Sequence, residues 1–595
     1  MTLDKGTTGK SIAIGLALAI GVSLSASAQF GGPAPEPYTP EPGAKDLKSV
    51  LFNWPWHMGM LRGIEEHELM VSLEYRGEGT LQVNGQACAI KPFEEGAREG
   101  ELGTSGYRLS VSYQTPGYRN QIMCTLPNGR TYSNIEVVSG EYAWDSDIPG
   151  AGLEPDRGTV KSMPNAVEER LIRLWASPQG AVKSALAGAG IPLRKVWRNP
   201  GALLEEGVSK IGDTSVTWDG NTPVISFPIP GVDGATAVAR LDDRFMTQSV
   251  VVKHGRDTYE FTYGNYDDYN NPLNRVEVLT AGTMTESKNG KVMRNLTTKQ
   301  TETGSVYVVV PVPPSVSGEP VQPVEMYGTD QEPPVLDSTA PTPRLANGKP
   351  DLTGAWNGGN KFFIWRYGNR RCAPEQLEGC STQWNQTIDF EFEAASRFGP
   401  NRPIYRPEHW DKVIYEDMWT NREDPIMTCA PMGLPRQGPP RRIFQTDADI
   451  TMLYPAGGDG GGGYSDFRVI PTDNREIDPR QLIQTKFLGH SVGHYEGDTL
   501  VIESVGFVPT TWLARGGFFH SENMKVTERF TRQGDQMLYE STVEDPEVLL
   551  QPYELPPMLM TTGEGGPFDR SQMLGAERGF CEAYELDDIS WQIRH

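Results

Sequence analysis

The chain has 595 residues, with 54 Lys and Arg against 77 Asp and Glu, a formal net charge of −23 at pH 7. So acidic a surface repels phosphate backbones and anionic bilayers, which excludes nucleic acid as a partner and otherwise serves solubility. With 13 Trp and 22 Tyr the chain can fill folded cores, and its length calls for more than one domain.

Lys5 and Lys10 precede an apolar run from Ile12 to Leu24, and Ala26-Ser27-Ala28 stands before Gln29. A charged start, an apolar stretch too short to span a bilayer and a small-x-small site predict a signal peptide over 1–28, cleaved after Ala28, and a periplasmic or extracellular protein. No later run approaches the length of a membrane span. A Pro-rich spacer over 29–43 follows, and a second Pro-rich stretch over 311–348 predicts an extended interdomain linker.

Between them, over 44–310, the first domain opens with a predicted helix from Asp46 to Leu61. Short alternating runs then predict strands at 71–75, 80–83, 107–113, 120–125 and 133–138. Two helices interrupt, over 166–176 and 178–186, the second with Ser177 as N-cap and Pro178 at its first position. Strands resume at 215–218, 224–227, 235–241, 246–253 and 257–263. That order predicts a curved antiparallel sheet wrapped over helices, a half-barrel.

Five pieces of this region, WPWHMGMLRG at 54–63, NGQ at 84–86, EYAWD at 141–145, LWASPQG at 174–180 and YGNYDDY at 263–269, give it a loose resemblance to LolA-like lipoprotein carriers. It is also similar to the leader domain of some secreted hydrolases of the metallo-β-lactamase type. The LolA-like resemblance implies a half-barrel whose concavity holds an apolar ligand, or a scaffold, rather than catalysis.

The second domain, 349–595, alternates strands at 443–446, 499–503, 524–530 and 537–543 with Gly-, Asp- and Pro-bearing turns. Helical periodicity is scarce, so the chain is mainly β with a few helices, and this half is predicted as a β-barrel or sandwich of calycin type. GKPDLTGAW at 348–356, DPIMTCAPMGLPR at 424–436, GHSVGHYEGDTLVIESVGF at 489–507, TWL at 511–513, HSENMKVTERF at 520–530, EDP at 544–546 and FCEAY at 580–584 resemble an uncharacterised family of secreted bacterial proteins. Ala514, where that family has an acidic residue, and Ile477, where it often has a His, depart from the pattern.

Six cysteines fit an oxidising compartment, and pairing within halves is the simplest arrangement: Cys88 and Cys124 in the first, Cys372, Cys380, Cys429 and Cys581 in the second. No CxxC and no His at ligand spacing from a Cys supports a metal site.

Three of the eight histidines, His490, His494 and His520, fall between Leu488 and Phe530. The segment 490–504 predicts a hairpin turning at Glu496-Gly497, with His490, Val492 and His494 on one face. Four strand residues span about 13 Å at ~3.3 Å per residue, which argues against His490 and His494 sharing one metal. His520, after Arg515-Gly516-Gly517, is the candidate general base, with Glu522 as its orienting carboxylate, Tyr495 as a proton donor and Asp498 or Glu528 as a second carboxylate. Trp512, Phe518 and Phe519 are candidate pocket walls, and His490 and His494 candidate binding residues. The plain alternative is a hydrogen-bonded structural histidine, a surface pair at Glu528-Arg529, and turns at Asp545-Pro546 and Tyr263 to Asn271, the last weighed also as a Ca²⁺ site. Gly457 to Gly463 predicts a loop, since no strand-to-helix context supports a phosphate cradle.

No Rossmann fingerprint, haem motif, P-loop or serine-hydrolase elbow appears, so no cofactor is expected. Two functions follow: an exported acid/base enzyme, hydrolase, lyase or isomerase, acting on an apolar aromatic or polycyclic molecule, or a binding protein for lipophilic ligands. The oligomeric state is left open.

Overall fold

The computed structural model describes residues 40–60, 72–96, 102–113, 115–190, 213–270, 278–304, 307–322, 334–358, 402–418, 424, 430–454, 467–514, 516–555 and 557–562. The predicted signal peptide, Cys372, Cys380, Cys429, Cys581 and the glycine run at 457–463 lie outside them.

Helix α1 (Leu47–His57) is capped by Asp46, whose carboxylate accepts from the Ser49 amide. The first sheet then forms from β1 (Ser72–Val83), β2 (Gln86–Ile90), β3 (Tyr107–Ser112), β4 (Gly117–Thr125), β5 (Thr131–Ser139), β6 (Tyr142–Ser146) and β7 (Val160–Ser162). Helices α2 (Val167–Ala176) and α3 (Pro178–Gly188) intervene. It is completed by β8 (Ser215–Asp219), β9 (Thr222–Pro228), β10 (Thr236–Leu241), β11 (Thr247–His254), β12 (Asp257–Asp267), β13 (Thr280–Lys288) and β14 (Lys291–Gly304). The fourteen strands are antiparallel and run β7-β6-β5-β4, then a lane shared by β3 and β2, then β1-β14-β13-β12-β11-β10-β9-β8. The two runs predicted at 71–75 and 80–83 are one strand, bent by a bulge at Arg76/Gly77. A Cβ on Gly77 would stand 2.4 Å from the Thr297 carbonyl oxygen, so only glycine admits β14 this closely. A disulfide joins Cys88 to Cys124, tying β2 to β4 within the first half.

One stripe of α2 (Leu171, Ile172, Leu174, Trp175) and most of α3 are buried in a core shared with the inner face of the sheet. Between the helices Ser177 accepts from the Gly180 amide, with Pro178 opening α3, the predicted cap.

After α4 (Pro314–Ser317), the second sheet comprises β15 (Gly354–Gly358), β16 (Arg442–Gln445), β17 (Asp449–Leu453), β18 (Phe467–Pro471), β19 (His490–Glu496), β20 (Thr499–Val505), β21 (Lys525–Gln533), β22 (Gln536–Glu544), β23 (Tyr553–Glu554) and β24 (Met558–Thr562), with α5 (Trp410–Met418) alongside. Its order is β18-β17-β16-β15-β24-β22-β21-β20-β19, with β23 beside β22. Arg468 of β18 reaches Ser491 of β19 at 3.4 Å, so the sheet nearly closes, as a barrel rather than a sandwich. Inside it Arg468 pairs with Glu528 at 2.6 Å, and the Tyr539 hydroxyl donates to the same carboxylate at 3.1 Å. Glu528 is therefore interior, not half of a surface pair; the alternation of β21 sends only Arg529 outward, to Glu496.

The Pro-rich stretch is largely exposed where it is described, but is tied down at several points. Val310 accepts from the Ser139 hydroxyl, Ser338 and Thr342 bond to Gln536 and Gly534 at the β21–β22 turn, and Arg344 holds Asp498 with two bonds. The outer face of β5 and β6 (Ile135, Val137, Trp144) shares a core with Tyr307 to Val310 and the barrel. Beside it, Glu74 accepts from Arg76, Arg108 and Ser110, and Arg108 continues to Asp411 of α5 at 2.5 Å. Arg119 lies over the Trp410 ring, 4.1 Å from its centroid. Burial alone would raise the Glu74 carboxyl, but Arg108 and Arg76 hold it at about 2.

Glu74→Gln leaves two guanidinium groups without their buried counter-ion and should cost about 3 kcal/mol in urea unfolding at pH 7. Because the folded pKa lies below the unfolded value, Glu74 stabilises fully above about pH 4.5 and loses its effect as pH falls towards 2. The variant should accordingly show a shallower loss of stability across that window; parallel acid limbs would contradict the assignment.

Candidate functional site

His520 lies in the loop between β20 and β21, only 3% exposed. Its Nδ1 is 2.8 Å from the Ser521 carbonyl oxygen, which can only accept, so Nδ1 carries the proton. Burial lowers its pKa, against the Ser521 bond and Asp545, and keeps the ring neutral near pH 7. Nε2 then faces the Thr511 hydroxyl at 2.7 Å, whose one proton is shared between it and the Val508 carbonyl oxygen at 3.0 Å. Both nitrogens are thus taken by the loop itself, and the edge of Phe507 closes one side.

The predicted companions do not gather around it. Glu522 is exposed and supplies no bond to the ring; the nearby carboxylate is Asp545, which accepts from the Ser521 amide and hydroxyl. Asp545, read from sequence as part of a turn, is thus the group that pins this loop. Tyr495 sits opposite Leu500 near the hairpin turn, whereas His520 lies beyond the other end of β20, roughly 20 Å away at ~3.3 Å per strand residue. Its hydroxyl accepts from Gln445, and burial pushes its pKa up to about 12 against that bond. Asp498 is taken by Arg344 and Glu528 by Arg468. Trp512, Phe518 and Phe519 are buried, but as core: Phe518 stacks on Tyr405 and packs edge-on to Tyr307, and Phe519 packs on Tyr405 and His409.

His490, Val492 and His494 do share the outer face of β19, as their spacing predicts, while Ser491 points inward to Ser504. The turn centres on Gly497 and Asp498, one residue later than predicted. His490 is buried with Nε2 against the Gln484 carbonyl at 2.7 Å. His494 borders an open trough of about 490 Å³ with Arg475, Ile477, Glu503 and Lys525. Lys525 pairs with Glu503, Arg475 with Asp473 outside the trough, and His494 Nε2 is 3.4 Å from Glu496. Ala514 is buried in the core. Among the described residues no group of three His, Cys, Asp or Glu side chains is placed to hold a metal ion. At Tyr263 to Asn271, Asp268 accepts from Asn270, and Asn270 from Thr301 and Thr303.

A different site lies in the first half. Under the α2–α3 junction, the inner faces of β1, β3 and β12 to β14 leave a partly enclosed slot of about 40 Å³. Its walls are mainly apolar, with Leu109, Phe261, Ala281, Met284 and Leu296 prominent. At roughly 10–15 Å³ per water-sized sphere the slot has room for three or four waters, too little for a polycycle. Tyr107 and Arg173 are among its polar lining residues. Arg173 is held by Glu286 through two bonds of 2.8 and 2.9 Å and donates to the Tyr118 hydroxyl. Arg294 joins Glu136 at 2.5 Å and Glu286 at 3.4 Å.

No protein-family model and no curated protein matches the chain. The slot was not foreseen because its residues are spread over β3, α2, β13 and β14. One signal was present: Arg170 and Arg173, three apart, lie side by side along one flank of the apolar stripe of a short helix.

Histidine-selective ¹⁵N NMR should find His520 protonated on Nδ1 alone and titrating below 6.5. A doubly protonated ring above pH 6.5 would contradict a sealed, structural histidine.

Proposed function

We propose that this chain is an exported binding protein that holds one slender lipophilic ligand in the slot of its first half. The observation that carries this reading is the composition of the slot: its titratable groups are Arg76, Arg173 and the phenols Tyr75, Tyr107 and Tyr263. Burial raises all three phenols, so none of these groups exchanges protons near neutral pH. A cavity of this kind can sequester an apolar chain but offers no acid/base machinery to transform it. The rival reading, an enzyme built on His520, needs a lone pair facing a substrate, and that lone pair faces Thr511.

The reading agrees with the resemblance of this half to LolA-like carriers. Export agrees with the Cys88–Cys124 bridge and with the leader-like start of the sequence. The barrel then serves as a second lobe, fixed to the outer face of the first sheet.

Native mass spectrometry of protein recovered from its exporting host should find a bound small molecule. Met284→Trp, at a half-buried wall position, should reduce its occupancy at least tenfold, while His520→Ala should leave it unchanged. Retention in the first variant, or loss in the second alone, would overturn the proposal.

A further inference from the structure

The outer face of β16, β17 and β18 is unlike the rest of the barrel exterior. On β21 the outward positions are Lys525, Thr527, Arg529, Thr531 and Gln533, all of them polar. On β16 to β18 the same alternation turns Phe444, Leu453, Phe467 and Val469 outward, and Phe467, Val469 and Phe444 are 64%, 57% and 43% exposed. The register sets them side by side in rows. Arg442, Leu453 and Phe467 form one row, Phe444, Thr451 and Val469 the next, and Asp449 and Pro471 a third. Adjoining aromatic and aliphatic side chains left in water mark an interaction surface. A charged group on this face is also incomplete. The Arg442 guanidinium lies over the Phe444 ring, 5.4 Å from its centroid, and its Nε is buried without a hydrogen-bond partner. Asp449, on the same face, accepts from the Thr446 hydroxyl through Oδ1. It stands two rows from Arg442, about 13 Å at ~3.3 Å per strand residue, and the two do not pair within the chain.

We propose that this face packs against the same face of a second copy of the chain. A two-fold axis running across the strands, through the row of Phe444, Thr451 and Val469, turns the row of Arg442 onto the row of Asp449. With the two sheets stacked ~10 Å apart, each Arg442 comes opposite Asp449 of the partner subunit, one strand spacing of ~4.8 Å to the side. The same ion pair therefore forms twice, and the arrangement closes on itself. Phe444 and Val469 meet their own counterparts at the axis, which gives an apolar centre anchored by an aromatic ring and an arginine. A second copy suits this face better than an unrelated partner, because the face carries both the unmatched cation and, at the spacing a two-fold requires, the carboxylate that answers it.

Sedimentation equilibrium of the purified full-length protein over a wide concentration range tests the pairing, with wild type, Val469→Glu, Arg442→Glu and the exchange Arg442→Glu with Asp449→Arg. The wild type should pass reversibly from monomer to dimer and no further. Val469→Glu sets two carboxylates against each other at the axis and should weaken the dimer by roughly a hundredfold. Arg442→Glu sets a carboxylate against Asp449 of the partner subunit and should weaken it by roughly tenfold, and the exchange should restore most of that loss. The substituted side chains lie on the outer face, so all variants should unfold at the wild-type temperature when dilute. A wild type that stays monomeric at every concentration overturns the proposal, whether or not an unrelated protein is found on this face. A dimer that survives Val469→Glu places the contact elsewhere and overturns it as well. Growth beyond the dimer, or an exchange that does not rescue Arg442→Glu, contradicts the two-fold pairing of Arg442 with Asp449.

Discussion

Everything in the first half depends on how the inner face of a fourteen-stranded sheet is covered. Helices α2 and α3 do this, but α2 carries Arg170 and Arg173 beside its leucines and tryptophan. Buried guanidinium groups must be matched by carboxylates: Asp145 on β6 answers Arg170, Glu286 on β13 answers Arg173, and Glu136 on β5 answers Arg294 on β14. Such a lattice gains little net energy once desolvation is counted. Its effect is positional: it sets where α2 sits over the strands, and the slot is the space that this placement leaves beside Met284 and Leu296.

The second half solves a similar problem with a similar device. A nearly closed barrel has an interior, and Arg468, Glu528, Tyr454 and Tyr539 occupy part of it as a bonded cluster among apolar side chains. The loop bearing His520 is drawn against Tyr307, Tyr405 and α5, so the aromatic residues that suggested a pocket instead fill the space between barrel and first sheet. Glu74, Arg108 and Asp411 cross the same junction. Phe518 and Phe519, beside the histidine in the chain, are part of what fills this junction.

The elements governed by local rules were legible in the sequence. Ser177-Pro178 announced the start of α3, strict alternation announced β20 to β22, and the distribution of turns announced two antiparallel sheets. Strands β13 and β14 escaped because their alternation is of threonines and charges, among them Glu286 and Arg294, whose burial depends on partners elsewhere in the chain. Arg173 and Glu286 are 113 residues apart in sequence, and no local pattern joins them. His520 was singled out because a rare imidazole among aromatics is the composition of an active site, but it is equally that of a well-packed loop. Only the hydrogen bonds to Thr511 and Ser521 separate the two.

Hydrogen–deuterium exchange of the protein, with and without the small molecule that copurifies with it, addresses the central claim most directly. The account predicts new protection at residues 107–111, 167–180 and 280–298, where strands and helices surround the slot, and no change at 507–524. Protection confined to 507–524, around His520, would contradict it and return the ligand to the second half.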